Sequence, residues 1–170
     1  AAMLAAAAAG FITAFLQTKL GVPSILAGIV TNIGLYSINL MVMGTSNLSL
    51  FQKTSIYTLA KDAGFGGSWY KLAVTALLVL VICVLLVLFL GTRLGLSIRA
   101  TGDNADMVRA SSINPTFTIT VGLCLANAMT GLSGAMVAQY NTFSDINSGT
   151  GMVVLALAAL VIGETLIGKG

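Results

Sequence analysis

Charged residues are scarce in this chain: only 8% of its 170 residues are Asp, Glu, Lys or Arg. An ordinary soluble domain has about 25%. Apolar residues make up 57% of the chain, and the mean hydropathy is +0.99. A fold in water could not cover so much apolar surface, so the composition argues against a cytosolic enzyme and a disordered tail. The eight Lys and Arg residues are too few and too scattered to follow a nucleic-acid backbone.

Histidine is absent, which excludes a histidine-based metal site or catalytic dyad. The two cysteines, Cys83 and Cys124, lie inside apolar runs, where cysteine is typically a small buried hydrophobe. A P-loop-like stretch begins at Gly163, but Gly170 stands where that motif needs Ser or Thr for a magnesium ion. An intramembrane enzyme would need a nucleophile–base pair or a metal cluster, and the apolar segments contain neither. We therefore expect no catalytic residue, no metal and no cofactor.

Five hydrophobic segments follow one another along the chain. A bilayer core is about 30 Å thick, and a helix needs about 20 residues to cross it. Four segments approach or exceed that length, and the fifth, 152–162, is short. With the residues up to 167 the fifth segment could cross, or it could be re-entrant. The sequence predicts an all-α, polytopic membrane protein with about five membrane segments; the four longer ones are 1–16, 23–43, 72–90 and 116–139.

The segment 91–114, here called the arginine loop, contains Arg93, Arg99 and Arg109. If this loop lies inside the cell, five of the eight Lys and Arg residues are cytoplasmic and three are external. That is a modest bias in the direction of the positive-inside rule. The opposite orientation remains open on charge alone. Residues 93–99 can continue the preceding helix out of the membrane, and 101–104 form a cluster of turn residues. Asp103 or Asn104 can then cap a short helix over 105–111.

Small and polar residues recur at helical spacing in two spans. Small residues every fourth position let helix backbones approach closely in lipid; this small-residue stripe is Ala126, Thr130, Gly134 and Ala138. Polar residues share one face of the second span or lie beside the stripe; they are Asn32, Tyr36, Asn39 and Asn127. The polar set predicts either a translocation path or hydrogen bonds between helices. Glu164, an acid inside an apolar segment, is a candidate coupling or packing carboxylate.

The ends of the chain suggest the middle of a longer membrane protein. Its first residue already lies in an Ala-rich apolar run with no charged region before it, which does not fit a signal peptide. We therefore expect residues 1–170 to be part of a single transmembrane domain that has further helices before and after them. A naturally small protein with a processed start is the alternative.

The arginine loop resembles the cytoplasmic loop of bacterial ABC importer permeases of the branched-chain amino-acid and ribose permease family. The resemblance lies in the run 98–104, IRATGDN, followed by Arg109 and by Ile113 and Asn114. The runs 126–135, ANAMTGLSGA, and 157–163, LAALVIG, are similar to that family as well. Gly163 is followed by Glu164, where most members have a second glycine. With 16–20, LQTKL, and 35–40, LYSINL, the chain is closest to tryptophan/tyrosine-type or uncharacterised importer permeases.

The resemblance implies a mechanism that the residues alone do not. The expected protein is a permease subunit in the bacterial cytoplasmic membrane that moves an amino acid or a similar small solute. It would work as a pair of permeases, with separate ATPase subunits and a periplasmic or lipid-anchored solute-binding protein, and without nucleic acid. The residues that match the family's loop are the candidates for coupling to the ATPase: Arg99, Gly102, Asp103, Asn104 and Arg109. The alternative function is a membrane scaffold or assembly subunit that transports nothing.

Overall fold

The structure, a computed structural model, describes residues 1–50, 56–57, 69–149 and 151–167, and all statements below concern these residues. The side chains at 148, 153, 164, 166 and 167 are also outside the description. The elements in chain order are α1 (Ala2–Lys19), α2 (Ser24–Met43), β1 (Asn47–Ser49), α3 (Tyr70–Leu90), α4 (Arg93–Asp103), α5 (Ala105–Ala110), α6 (Pro115–Asn141), β2 (Phe143–Asp145), a 3-10 helix (Ile146–Gly149) and α7 (Met152–Ile167).

Local sequence explains where the long helices begin and end. Asn114 lies just before α6, and its side chain accepts a hydrogen bond from Thr116 N at 3.0 Å. Pro115 follows at the first helical position, where a missing N–H costs nothing. Gly44 ends α2 in a left-handed conformation with φ of 67°, and its N–H donates to Leu40 O. That conformation suits glycine because it lacks a Cβ.

The prediction of an all-α, multi-pass membrane protein is confirmed. Within the described residues, α1, α2, α3 and α6 are long and apolar enough to cross a membrane. The segment predicted to be short forms α7, a helix of 16 residues. That is roughly 24 Å at 1.5 Å per residue, so crossing and re-entry both remain open. None of the residues of α3 is buried by the other described elements, so this helix has its faces free for lipid or for further helices.

Helices α1 and α6 pack against each other along much of their lengths and run antiparallel. Gly131, in the C-terminal half of α6, faces Ala2 and Ala6 at the start of α1. Further along, a Cβ placed on Gly10 would lie 2.7 Å from Leu123 O, so only glycine fits. Two small residues thus bring the helix backbones together, which is how helices commonly associate in lipid.

Helix α2 covers another side of α1. Ala14 and Ala27 are both fully buried, and the hydroxyl of Thr13 donates to Thr31 Oγ1 at 3.1 Å. Thr31 in turn donates to Ala27 O within its own helix. The hydroxyls therefore satisfy one another or the backbone, which removes the cost of placing them among apolar side chains.

Two short strands were not predicted from the sequence. They pair antiparallel, with Asn47 opposite Asp145, Leu48 opposite Ser144 and Ser49 opposite Phe143. Because β1 follows α2 and β2 follows α6, the pairing holds the C-terminal ends of both helices at one end of the molecule, here called the sheet end. The opposite end, which carries α4 and α5, is here called the arginine end. The strands pair the polar backbone of the two segments that follow these helices.

Candidate functional site

The arginine loop forms two separate helices, which corrects the prediction that its first part continues the preceding helix. Helix α3 ends at Leu90, and Thr92 begins α4 by accepting a hydrogen bond from Gly95 N at 3.3 Å. Threonine at a helix N-cap satisfies one of the first free N–H groups, so a new helix begins there. Apolar residues continue after Thr92, so the sequence was equally consistent with one continuous helix.

Gly95 allows α4 to turn sharply back against the end of α3. It is buried, and a Cβ at this position would meet the Leu90 Cα atom and would lie 2.6 Å from Leu90 O. A side chain there would have to push one backbone away from the other. The direction in which α4 leaves the membrane-spanning helix is therefore set by a glycine.

Asn104 joins α4 to α5 and caps the second helix. Its Oδ1 accepts hydrogen bonds from Asp106 N at 3.0 Å and from Met107 N at 3.1 Å. Of the two caps that the sequence allowed, Asp103 and Asn104, the structure uses Asn104. The predicted turn over 101–104 is also shorter, because Thr101, Gly102 and Asp103 still belong to α4.

The remaining candidates of the arginine loop lie on its surface. Arg99, Gly102, Asp103 and Arg109 are all exposed. Arg109 Nη1 lies 3.7 Å from Asp106 Oδ1, and the two side chains are 72% and 93% exposed, respectively. An ion pair this exposed to solvent is weak, so it restrains the arginine little. Met107 is 70% exposed, whereas its neighbour Val108 is buried. Helix α5 thus shows solvent an apolar side chain beside charged ones, while Val108 packs inward.

The base of this helical pair is attached to α6 by contacts that sequence reasoning missed. Thr101 Oγ1 and Thr118 Oγ1 are 2.8 Å apart, and both residues are buried. One turn further along, Ile98 lies against Gly122, where a Cβ would be 3.2 Å from Ile98 Cγ2. The sequence contained one indication of this contact. Residues 98 and 101 share one face of α4, and residues 118 and 122 share one face of α6.

The polar candidates for a translocation path lie in two different environments. Asn32, Tyr36 and Asn39 are exposed on α2, and the Tyr36 hydroxyl donates to Asn147 Oδ1 at 3.3 Å. Asn127 lies on the α1 side of α6: its Nδ2 donates to Leu123 O and adjoins Gly10. For Asn127 the structure therefore favours a packing role.

Glu164 is the remaining polar candidate inside an apolar segment. Its side chain lies outside the described residues, so the prediction for Glu164 stays a prediction. Only its place in the chain is known, near the end of α7.

The small-residue stripe does not form the close contact with α1. Ala126, Thr130 and Gly134 are exposed, and among the described residues nothing lies within 4 Å of a Cβ placed on Gly134. The contact uses Asn127 and Gly131 instead, one position further along the helix. One residue corresponds to about 100° of rotation. The stripe, with half-buried Ala138, therefore faces away from α1, and its packing against another helix stays a prediction.

An aromatic cluster lies at the sheet end. The rings of Tyr57 and Tyr140 meet edge to face with centroids 5.9 Å apart. Lys71 Nζ lies 5.5 Å from the centre of the Tyr140 ring, within cation–π range. The Tyr57 hydroxyl is 2.9 Å from Thr75 Oγ1. These contacts tie the first turns of α3 to the last turns of α6.

Comparisons with known proteins give one consistent result. The model of a family described as "Branched-chain amino acid transport system / permease component" matches residues 1–169. A tyrosine transport system permease protein of Clostridioides difficile is 36% identical over 168 residues, 99% of this chain and 54% of that protein. An uncharacterized protein of Rickettsia prowazekii is 31% identical over 166 residues, 97% of this chain and 57% of that protein. The chain thus spans about half the length of both relatives. No solved structure matches.

Proposed function

The chain belongs to the family of branched-chain amino acid transport system permease components, and on that premise we propose that it forms part of the membrane subunit of an ATP-driven ABC importer. The family agrees with the resemblance that the arginine loop carries. In this function the chain provides the membrane path and hydrolyses no ATP itself. ATP hydrolysis is the task of a separate partner subunit, to which the arginine end is the connection.

The observation that carries the proposal is the construction of the arginine loop. Helix α5 is capped by Asn104 and displays Met107 and Arg109 to solvent. A short helix with an exposed apolar side chain and exposed charges is suited to docking in a groove of a soluble partner. Its base is fixed to α6 through Thr101 and Thr118, so a force applied to α5 can reach a membrane-spanning helix.

The remaining partners follow from the two ends of the molecule. With the arginine end in the cytoplasm, the sheet end faces outward, where a periplasmic or lipid-anchored binding protein would deliver solute. A second permease copy would complete the path, and the exposed small-residue stripe on α6 offers a face for a neighbouring helix. The bacterial inner membrane is the expected location. An amino acid is the proposed cargo class, because a relative is named as a tyrosine permease.

The function can be tested with the full-length permease, co-expressed with candidate ATPase and solute-binding proteins from the same genome. We expect the permease and the ATPase to copurify and, in proteoliposomes, to accumulate a radiolabelled amino-acid mixture only when ATP and the binding protein are present. Omitting the binding protein is the matched control. If no ATPase subunit copurifies and no label accumulates, the scaffold function replaces the importer function.

The proposed orientation predicts which ends of the helices an impermeant thiol reagent can reach. Single cysteines are introduced at Ser111 in the arginine loop and at Ser46 next to β1, in a background without Cys83 and Cys124; both serines are exposed. In intact cells whose outer membrane is permeabilised, Ser46→Cys should be labelled and Ser111→Cys should not. Lysed cells, in which both should react, are the control. Labelling of Ser111→Cys alone would reverse the topology.

A further inference from the structure

We propose that Thr101 and Thr118 are positioning residues that lock α4 to α6, so that movement of α5 reaches the membrane helices instead of bending the arginine loop. This inference rests on the proposed function, since it concerns how that loop transmits a push. The two hydroxyl oxygens are 2.8 Å apart, and the residues are 7% and 2% exposed. Water therefore cannot replace this contact.

The number of protons shows that the pair makes one bond between the helices. Each hydroxyl carries a single proton and has a carbonyl of its own helix within reach: Ser97 O lies 2.7 Å from Thr101 Oγ1, and Pro115 O lies 2.9 Å from Thr118 Oγ1. If both protons pointed at these carbonyls, two bare oxygens would face each other at hydrogen-bond distance. One proton must therefore lie between the oxygens, and either hydroxyl can supply it.

This bond closes a ring. Starting from Thr101, the chain runs through Asn104, α5 and the turn at Ser112 into α6, and the bond returns from Thr118 to the starting point. Asn104 and Ser112 are the points in this ring where the backbone leaves helical geometry: Asn104 separates two helices, and Ser112 has a φ of 61°. While the ring is closed, the bond restrains α5 from swinging about these points. When it is open, a push on α5 is absorbed there.

Valine substitutions separate this role from packing. Thr101→Val and Thr118→Val keep the shape of the side chain. In each single variant the remaining hydroxyl can still donate to a carbonyl of its own helix, so no buried donor is left without an acceptor. Each single variant removes the same bond between the helices. The double variant removes no further bond between the helices and loses only a hydroxyl's bond to a carbonyl of its own helix. Thr118→Ser retains the bond. The matched control is Thr120→Val, because the Thr120 hydroxyl donates to Thr116 O within α6.

The experiment measures label taken up per ATP hydrolysed by the full-length complex with its ATPase and binding protein, using a radiolabelled amino-acid mixture. Both single valine variants and the double variant should lose about threefold in this ratio, the effect of one neutral hydrogen bond. Thr118→Ser and Thr120→Val should keep the wild-type ratio. The second readout is hydrogen exchange of the α4 amides, which should be about threefold faster in the valine variants and unchanged in the others. It is measured in the same samples, or in the isolated permease if a complex fails to assemble.

Three results would overturn the inference while leaving the proposed function intact: valine variants with the wild-type ratio, Thr118→Ser behaving like valine, or a double variant far worse than either single one. Unchanged hydrogen exchange of α4 in the valine variants would do the same. A wild-type complex that shows no ATP-driven uptake would instead overturn the proposed function, and this inference with it.

Discussion

Replacing Asn104 with alanine should reduce ATP-driven uptake about fivefold and abolish most of the stimulation of ATP hydrolysis by solute-loaded binding protein. The Asn104 side chain accepts hydrogen bonds from two of the free N–H groups in the first turn of α5, those of Asp106 and Met107. Losing such a cap costs about 1 kcal/mol, or roughly fivefold in the population of the helix. Helix α5 has only six residues and cannot be stable through its own backbone bonds. A frayed α5 presents no fixed surface to the ATPase.

The matched control is Asn104→Asp, because aspartate also accepts hydrogen bonds at a helix N-cap. Asp103→Ala, measured beside it, separates the cap from a charge contact with the partner, since Asp103 does not cap α5. The measurements are ATPase activity and uptake of the reconstituted full-length complex, with and without loaded binding protein. Full solute-stimulated hydrolysis and normal uptake in Asn104→Ala would show that the cap of α5 plays no part in coupling.

Replacing Gly131 with leucine should remove most of the folded subunit. A Cβ at this position would meet the Ala6 side chain and would lie 3.1 Å from Ala2 O. Overpacking typically costs about 1–3 kcal/mol, and here the neighbour is partly backbone, which cannot move aside without moving α1. Helix α1 also holds α2 through Thr13 and Thr31, so three helices are affected. The measurement is the yield of monodisperse full-length protein in mild detergent.

Gly134→Leu is the matched control, one turn along the same helix. In the part of the chain that the structure describes, nothing lies within 4 Å of a Cβ at Gly134, so the packing of α6 against α1 should be unaffected. If the small-residue stripe packs against a second copy, Gly134→Leu should yield folded permease that no longer pairs. Retained pairing would mean that the stripe is not the face between the two copies. A wild-type yield of Gly131→Leu would show that α1 and α6 do not pack closely through this glycine.

Hydrophobic length was enough to predict the membrane helices. The four longer predicted segments agree with α1, α2, α3 and α6 within a few residues, because crossing a bilayer imposes both length and composition. Helix α3 is the clearest case, with no charge between residues 72 and 90. The strands could not be predicted, since each has only three residues and its partner is far away in the chain.

The arginine loop could be predicted only in part. Its position, its short second helix and the choice of Asn104 or Asp103 as cap all followed from local chemistry. The break at Thr92 did not, because apolar residues continue beyond it and a glycine at position 95 does not by itself show how closely two backbones approach. The bond between Thr101 and Thr118 depends on how α4 lies on α6, and local sequence does not determine that.

In the proposed function, and together with α1, which packs along it, α6 acts as a lever. Its C-terminal end is tied to that of α2, while its N-terminal end is tied to α4 through Thr101 and Thr118. The helix has 27 residues and is therefore roughly 40 Å long. With the sheet as pivot, a tilt of about 5° moves the far end by about 3.5 Å. A small movement of an ATPase subunit at the arginine end would thus tilt α6 about the paired strands at the sheet end. No helix would need to bend or unwind much for this movement.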